Sequence, residues 1–276
     1  MKHINFEMHC HTTCSDGVLT AAQLIEKAAE CGLDYIAITD HDTVAAIPEA
    51  LSVLPETMKL VPGVEISSAD GDRDVHMLGY FIDTSNQELL ASMANSRERR
   101  RQRSIAMVQK LEEAGYPISV SEFEASGVTI NRSNVARALW KAGAVEEFED
   151  AFKTLIGKGC PFYVERDDID AEDAVKLIVG AGGMPVIAHP AHYGVVDLIE
   201  PLKKVGLAGV ECYHSEQTPE ESAQLVSISR NLGLLVTGGS DFHGDPVHPS
   251  VLAGNQPPQE DILAFLEAGR DYGFEA

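Results

Sequence analysis

Glu7-Met8-His9-Cys10-His11-Thr12-Thr13-Cys14-Ser15-Asp16-Gly17 decides how the rest of this chain is read. Just before it, Ile4-Asn5-Phe6-Glu7-Met8 alternates apolar and polar residues, the period of a half-buried strand. His9 and His11 are two apart, so on an extended backbone they project from the same side. Two imidazoles on one side of a strand end make half of a metal site. Asp16 follows in a turn-forming Ser-Asp-Gly segment. A His-x-His alone equally describes a strand that ends near two surface histidines, so further ligands have to come from elsewhere in the chain.

They stand at or near other apolar runs. Tyr35-Ile36-Ala37-Ile38-Thr39 ends in Asp40-His41-Asp42, and Leu60-Val61-Pro62-Gly63-Val64 leads into Glu65. Val75-His76-Met77-Leu78-Gly79-Tyr80-Phe81 carries His76, after a hairpin-like turn at Ser68-Ala69-Asp70-Gly71-Asp72. Met184-Pro185-Val186-Ile187-Ala188 leads to His189-Pro190-Ala191-His192, and Gly209-Val210-Glu211-Cys212-Tyr213 ends at His214. Leu234-Leu235-Val236-Thr237 runs into Gly238-Gly239-Ser240-Asp241-Phe242-His243-Gly244. Amphipathic helices fit at Leu19–Cys31, Ala171–Ala181, Val196–Val205, Glu220–Leu232 and Glu260–Ala268. Strand-helix alternation predicts a parallel sheet. A flat doubly wound sheet would gather its ligands at one switch point. Ligands at six strand ends predict a closed or nearly closed barrel of seven strands, with its site at their C-terminal ends.

From about Asn86 to Gly115 the pattern turns helical, and further helices fit at Ser133–Ala142 and Glu146–Ile156. No strand-helix alternation is visible there. Residues 97–168 are therefore read as a helical insert that caps the substrate, with the barrel at 1–96 and 169–276. The first helix of the insert carries Arg97-Glu98-Arg99-Arg100-Arg101-Gln102-Arg103, whose usual role is a solvated face.

Composition bounds the class. Of 276 residues, 44% are hydrophobic, enough for a sizeable core, and no apolar run is long enough to span a bilayer. Without a signal-peptide pattern the expectation is a cytoplasmic chain that binds no membrane. Five cysteines without a Cys-x-x-Cys predict reduced thiols, with Cys10 and Cys14 as small buried fillers rather than ligands. A net charge of −22 argues against binding long nucleic acid through a broad basic face. Divalent cations gathered in one pocket would reverse that sign locally, so a phosphate substrate is not excluded.

The candidate ligands are His9, His11, Asp16, His41, Glu65, His76, His189, Asp241 and His243. Imidazole and carboxylate without thiolate suit Zn, Mn or Fe in a reactive site more than a structural Cys-rich zinc. Nine ligands are too many for one ion, and Glu65 is the best candidate to bridge two. Clusters of this kind serve phosphoryl displacement.

These residues also carry a family resemblance. His9-Cys10-His11, Thr39-Asp40-His41-Asp42, Gly63-Val64-Glu65, His76, Ala188-His189-Pro190 and Ser240-Asp241-Phe242-His243-Gly244 resemble the motif set of the PHP (polymerase and histidinol phosphatase) family. The resemblance implies a distorted seven-stranded β/α barrel and a phosphoesterase site holding three divalent ions, Mn first, with Zn or Fe as alternatives. Carried over by position, His9, His11, Glu65 and Asp241 would hold one ion. Glu65, His76 and His189 would hold the second, and Asp16, His41 and His243 the third.

Within the insert, Ile130-Asn131-Arg132-Ser133-Asn134-Val135-Ala136-Arg137-Ala138-Leu139 and Gly157-Lys158-Gly159-Cys160-Pro161-Phe162-Tyr163-Val164 resemble one subfamily. It includes the 3′,5′-nucleoside bisphosphate phosphatases and the 5′→3′ exoribonucleases acting on short RNA. Asn131 departs from its usual Gly, and Ser133-Asn134 from its usual Pro-His. The reaction this implies is removal of the 3′-phosphate of nucleoside 3′,5′-bisphosphates, adenosine 3′,5′-bisphosphate giving AMP, with short 5′-phosphorylated RNA as a further substrate and no obligate protein partner.

His192 is the candidate proton donor to the leaving oxygen or a phosphate ligand, with a loop cap as the equal alternative. Arg132, Ser133 and Asn134 at a helix start are the candidates for a second phosphate, with Arg99 and Arg137 behind them. Three other readings stand beside this one. A histidinol-phosphate-type phosphomonoesterase is disfavoured by the insert. A non-catalytic or polymerase-associated metal-binding module is disfavoured by the complete ligand set. Amide hydrolysis is disfavoured because no strand end offers a bridging lysine.

Overall fold

The computed structural model describes residues 3–126, 130–245 and 250–275. Its strands are β1 (Phe6–Glu7), β2 (Tyr35–Ile38), β3 (Lys59–Asp70), β4 (Arg73–Tyr80), β5 (Ile169–Asp170), β6 (Met184–Ile187), β7 (Gly209–Tyr213) and β8 (Leu235–Gly238). Its helices are α1 (Ala21–Glu30), α2 (Ala46–Val53), α3 (Gln87–Glu113), α4 (Val120–Ser126), α5 (Arg132–Lys141), α6 (Phe148–Ala151), α7 (Ala171–Gly180), α8 (Ile199–Lys204), α9 (Pro219–Leu232) and α10 (Gln259–Gly269). Among the described residues no helix is long and apolar enough to cross a membrane.

The helices start where the sequence supplies caps. Thr20 and Thr218 form capping boxes with Gln23 and Glu221 at the starts of α1 and α9. Leu24, Ile25 and Ala28 of α1 are buried, each Leu or Ile worth about 1.5–3 kcal/mol. α2 escapes the sequence pattern because Pro48 falls in its first turn, where proline is tolerated. α4 is a seven-residue helix with one buried residue, Phe123, too short to show a period.

The strands follow the order β1-β2-β3-β4-β6-β7-β8, with β5 paired to β3. This α/β fold on a curled sheet is the coarser part of the expected architecture. The sheet is not wholly parallel, however: β4 runs antiparallel to both β3 and β6. β3 and β4 form a hairpin turning at Asp70–Arg73. Neither strand ends at its candidate ligand: Glu65 and Ser67, which pairs with His76, lie within the β3 ladder. An apolar run carries no direction, so the sequence could not distinguish a crossover from a hairpin here. The effect is that the returning strand brings His76 beside Glu65.

The edges of the sheet meet without a ladder. Beyond the ends of β1 and β8, an isolated bridge pairs Cys10 with Phe242, the one such bridge between these segments among the described residues. His11 N–H donates to Phe242 O at 2.9 Å and Phe242 N–H to His9 O at 3.3 Å. A buried carboxylate reinforces the seam. Glu7 Oε1 accepts from His9 N and Ser240 N, both at 3.0 Å, and Oε2 accepts from Ser240 Oγ and Ala253 N, both at 2.6 Å. β1 is therefore not the half-buried strand its alternation suggests, since Phe6, Glu7 and Met8 are all buried.

Phe6, Met8, Ala37, Val61, Leu78, Tyr80, Met184, Val186 and Ala188 pack into one apolar cluster with Ile262 and Phe265 of α10. Side chains from five strands meet in one cluster only if they face the concave side of the curl. A second cluster packs α1 and α2 on β2, and a third packs α7, α8 and α9 on β3, β4, β6 and β7.

The chain divides into two compact units, Met1–Ala94 with Ile169–Ala276, and Asn95–Asp168. The first carries every strand found among the described residues. The second holds most of α3 together with α4, α5 and α6.

Candidate metal centre

Glu65 is the hub. Its carboxylate is buried on β3, and its two oxygens face different imidazoles. Oε1 lies 2.8 Å from His76 Nδ1 and 3.0 Å from His189 Nε2. Oε2 lies 3.3 Å from His9 Nε2, 3.2 Å from His11 Nε2 and 3.1 Å from His41 Nδ1. Asp241 Oδ1 completes one nest, 3.3 Å from His9 Nε2 and 2.9 Å from His11 Nε2. Asp16 forms another, with Oδ1 at 3.3 Å from His243 Nε2 and Oδ2 at 4.0 Å from His41 Nε2. His41 thus has one ring nitrogen towards Glu65 and the other towards Asp16.

Local folding explains each placement. The extended chain beyond β1 carries His9 and His11 to one side. Asp40, buried after β2, accepts from Thr12 N at 2.7 Å, Thr12 Oγ1 at 2.7 Å and Ser15 Oγ at 2.6 Å, which fixes the loop that bears Asp16. Asp42 N–H donates to Glu65 O at 2.9 Å and Asp42 Oδ1 accepts from Ser67 N at 3.0 Å, laying His41 along β3. Asp42, His189 and Asp241 have φ of 51°, 31° and 51°. Such left-handed backbone is uncommon outside glycine and concentrates at functional sites.

The donor set fits divalent ions. Ligand atoms around an ion with bonds of about 2.0–2.2 Å stand roughly 2.9–3.6 Å apart, from octahedral to tetrahedral geometry. His9 Nε2, His11 Nε2, Glu65 Oε2 and Asp241 Oδ1 match this, and the two imidazole nitrogens are 3.2 Å apart. Among the described residues, Glu65 Oε2 and Asp16 Oδ1 are buried and find no hydrogen-bond donor, which a coordinated oxygen does not need.

The buried carboxylates and imidazoles stabilise one another's charged forms. Burial opposes ionisation of Glu65, but the surrounding His41, His76 and His9 hold its carboxyl well below the usual carboxylate range. Burial likewise opposes ionisation of Asp241, yet His9 and His243 hold it down. Conversely, burial disfavours the His11 imidazolium, but Asp241 and Glu65 outweigh it and push the group up to about 10.

All nine sequence-predicted ligands are brought together. His192 lies on the turn after β6, half in solvent, with Nδ1 2.7 Å from Glu216 Oε2 and its ring centroid 6.2 Å from that of His189. The remaining predicted residues belong to the second unit. Asn131 caps α5, its side chain accepting from Asn134 N at 2.7 Å. Arg132 stacks on Phe152, with Cζ 5.3 Å from the ring centroid. Arg99 Nε is 3.9 Å from Asp167 Oδ2. Cys10 is no part of the cluster, since its Sγ donates to Ala37 O at 3.2 Å.

Several residues were not singled out by the sequence. Glu7 and Asp40 hold the ligand-bearing loops. Glu211 comes from β7 and His214 from the position just past it, and neither β7 nor its end supplies any of the nine. The available signal was an acidic residue in the middle of an apolar strand, which is costly unless it is paired. In the second unit, Arg103 donates from Nε to Val164 O at 2.8 Å and lies over Tyr163, while its Nη2 is buried without a partner among the described residues. Burial, followed by the nearby Arg132, lowers its affinity for a proton.

Comparison with known proteins follows the same line. The PHP domain family model matches residues 7–258. A 5′-3′ exoribonuclease of Haemophilus influenzae is 33% identical over 245 residues, 86% of this chain and 89% of the relative. A 3′,5′-nucleoside bisphosphate phosphatase of Chromobacterium violaceum is 33% identical over 248 residues, 87% of each chain. A solved structure from Bifidobacterium adolescentis, assigned as a metal-dependent phosphoesterase, superposes with a TM-score of 0.86 at 33% identity, over 95% of this chain and 96% of that one.

Proposed function

The chain belongs to the PHP domain family and is a metal-dependent phosphoric ester hydrolase, and from that premise we propose that it removes the 3′-phosphate from nucleoside 3′,5′-bisphosphates, leaving the 5′-nucleotide. The observation that carries the site assignment is Glu65, whose two oxygens each face a separate group of imidazoles. In this reading His9, His11, Glu65 and Asp241 hold one ion, Glu65, His76 and His189 a second, and Asp16, His41 and His243 a third, with Mn preferred and Zn or Fe as alternatives. Bound there, divalent ions supply Lewis acidity to the phosphoryl oxygens and offset the charge that grows during in-line displacement.

The chain's own residues do the rest. Glu216 accepts from Nδ1 of His192, which leaves Nε2 to protonate the departing ribose oxygen. The carboxylate holds the imidazole in one orientation, as a triad acid does. Arg132, with Ser133 and Asn134 at the start of α5, binds the phosphate that is not cleaved, and Arg99 supports it. The substrate class is supported by the bisphosphate phosphatase relative, and a short 5′-phosphorylated RNA as further substrate by the exoribonuclease relative.

The test is phosphate release from adenosine 3′,5′-bisphosphate with Mn²⁺, beside histidinol phosphate and a short 5′-phosphorylated RNA. Formation of AMP supports the proposal. Cleavage of RNA alone moves the role to RNA turnover on the same chemistry, and activity on histidinol phosphate alone refutes the substrate assignment. Arg132→Ala should raise KM for the bisphosphate and spare a simple aryl phosphate, whereas equal loss on both would remove Arg132 from the second phosphate.

A further inference from the structure

β7 contributes no ligand to the proposed ions, yet Glu211 is wholly buried beside them. Its Oε1 lies 2.9 Å from His9 Nδ1, and its Oε2 accepts from the backbone N–H of His189 at 2.9 Å. One carboxylate therefore touches two of the proposed ligand residues, which stand 180 positions apart in the sequence (189 − 9). His189 is also one of the residues held at positive φ. Just past the end of β7, His214 Nδ1 accepts from Glu216 N at 3.2 Å, so its hydrogen is on Nε2, which points to Asp241 Oδ2 at 3.5 Å.

We infer that Glu211 is the positioning residue of the metal centre: it fixes His9 in the tautomer whose Nε2 lone pair is free for a metal, and it ties that choice to the backbone of His189. The inference rests on the metal reading above. An ionised carboxylate can only accept, so the hydrogen shared with His9 sits on Nδ1. A ligating histidine that gives its other ring N–H to a carboxylate is held in orientation and made more basic. His9, Glu211 and His214 could together be read as an additional metal nest. The hydrogen on His9 Nδ1 closes that nest, because the nitrogen has no lone pair to offer.

Substitution by Gln separates a positioning role from a packing role. The side-chain oxygen of Glu211→Gln must stay with the His189 N–H, since that donor cannot be reversed. Its NH₂ group then faces His9 Nδ1, which can be satisfied only by presenting a lone pair. The hydrogen moves to Nε2 and blocks coordination. Glu211→Asp keeps an acceptor-only carboxylate and the correct tautomer, although it leaves a gap of one methylene. Positioning therefore predicts that Gln harms metal binding more than Asp. Packing predicts the reverse, because Gln is isosteric.

The experiment is titration calorimetry of Mn²⁺ into full-length, chelator-stripped protein. We expect Glu211→Gln to weaken the tightest Mn²⁺ site about 10–100-fold and Glu211→Asp to weaken it less. Wild-type affinity in Glu211→Gln, or a larger loss in Glu211→Asp, overturns the inference and leaves the metal reading intact. Failure of the wild type to take up Mn²⁺ or Zn²⁺ overturns the metal reading itself. ¹⁵N NMR of the zinc-loaded wild type needs no variant. A hydrogen on Nδ1 of His9 supports the inference, and zinc on Nδ1 refutes it.

Discussion

Replacing Glu7 by Gln should destabilise the protein although it preserves the shape of the side chain. The four donors that converge on Glu7 come from His9, Ser240 and Ala253, so the carboxylate holds together sheet edges 233 residues apart. Gln offers one acceptor oxygen. Its cheaper orientation keeps that oxygen on the His9 and Ser240 N–H groups and turns NH₂ towards Ser240 Oγ and the Ala253 N–H. The Ser hydroxyl can rotate and accept, but the Ala253 N–H is left facing another donor. A hydrogen bond to a charged group contributes about 1.5–3 kcal/mol, and leaving a buried donor unsatisfied costs about 1–3 kcal/mol. Burial pushes the Glu7 carboxyl up, so removing the charge recovers part of this. The net loss should be about 2–4 kcal/mol, equivalent to about 4–8 °C in Tm at ~2 °C per kcal/mol for a chain of this size. Urea unfolding with matched m-values would measure it. A variant within about 0.5 kcal/mol of wild type, the usual range for a neutral surface change, would refute this account of the seam.

Gly239 is another point of close approach. A Cβ there would lie 2.3 Å from His9 Cβ and 2.8 Å from His9 N, so Gly239→Ala must push the seam apart. We expect a loss of about 1–3 kcal/mol with weakened Mn²⁺ binding, and a folded variant with wild-type affinity would contradict the reasoning. Stripping metal with a chelator should abolish phosphate release. Restoring Mn²⁺ at a hundred times its Kd should raise stability by about 2.7 kcal/mol per independent site, read by calorimetry, and an unchanged Tm would argue against binding in the folded state. His192→Ala should lower kcat on a nucleotide by roughly 10²–10⁴ but spare an aryl phosphate, whose leaving group needs no proton. Unchanged kcat and kcat/KM on both would remove His192 from proton transfer and from phosphate binding.

Much of the centre was legible in the sequence because its signal is local. A two-residue spacing on an extended chain put His9 and His11 on one side, and apolar runs with a polar residue at or near their ends marked His41, Glu65, His189 and Asp241. The long pattern of α3 was equally local. What the sequence could not express was direction and partnership. The β3–β4 hairpin reverses a strand whose composition is indifferent to its direction, and only that reversal places His76 at Glu65. Glu7, Asp40 and Glu211 read as ordinary polar positions, because a buried carboxylate is tolerable only when donors arrive from elsewhere. For Glu7 and Glu211 those donors are remote in the chain: Ser240 for the first, His9 and His189 for the second. Residue chemistry and period were therefore set by the sequence alone. The pairing of buried charges, and with it the orientation of each imidazole, was decided by the tertiary structure, since a hydrogen bond depends on where its partner is folded.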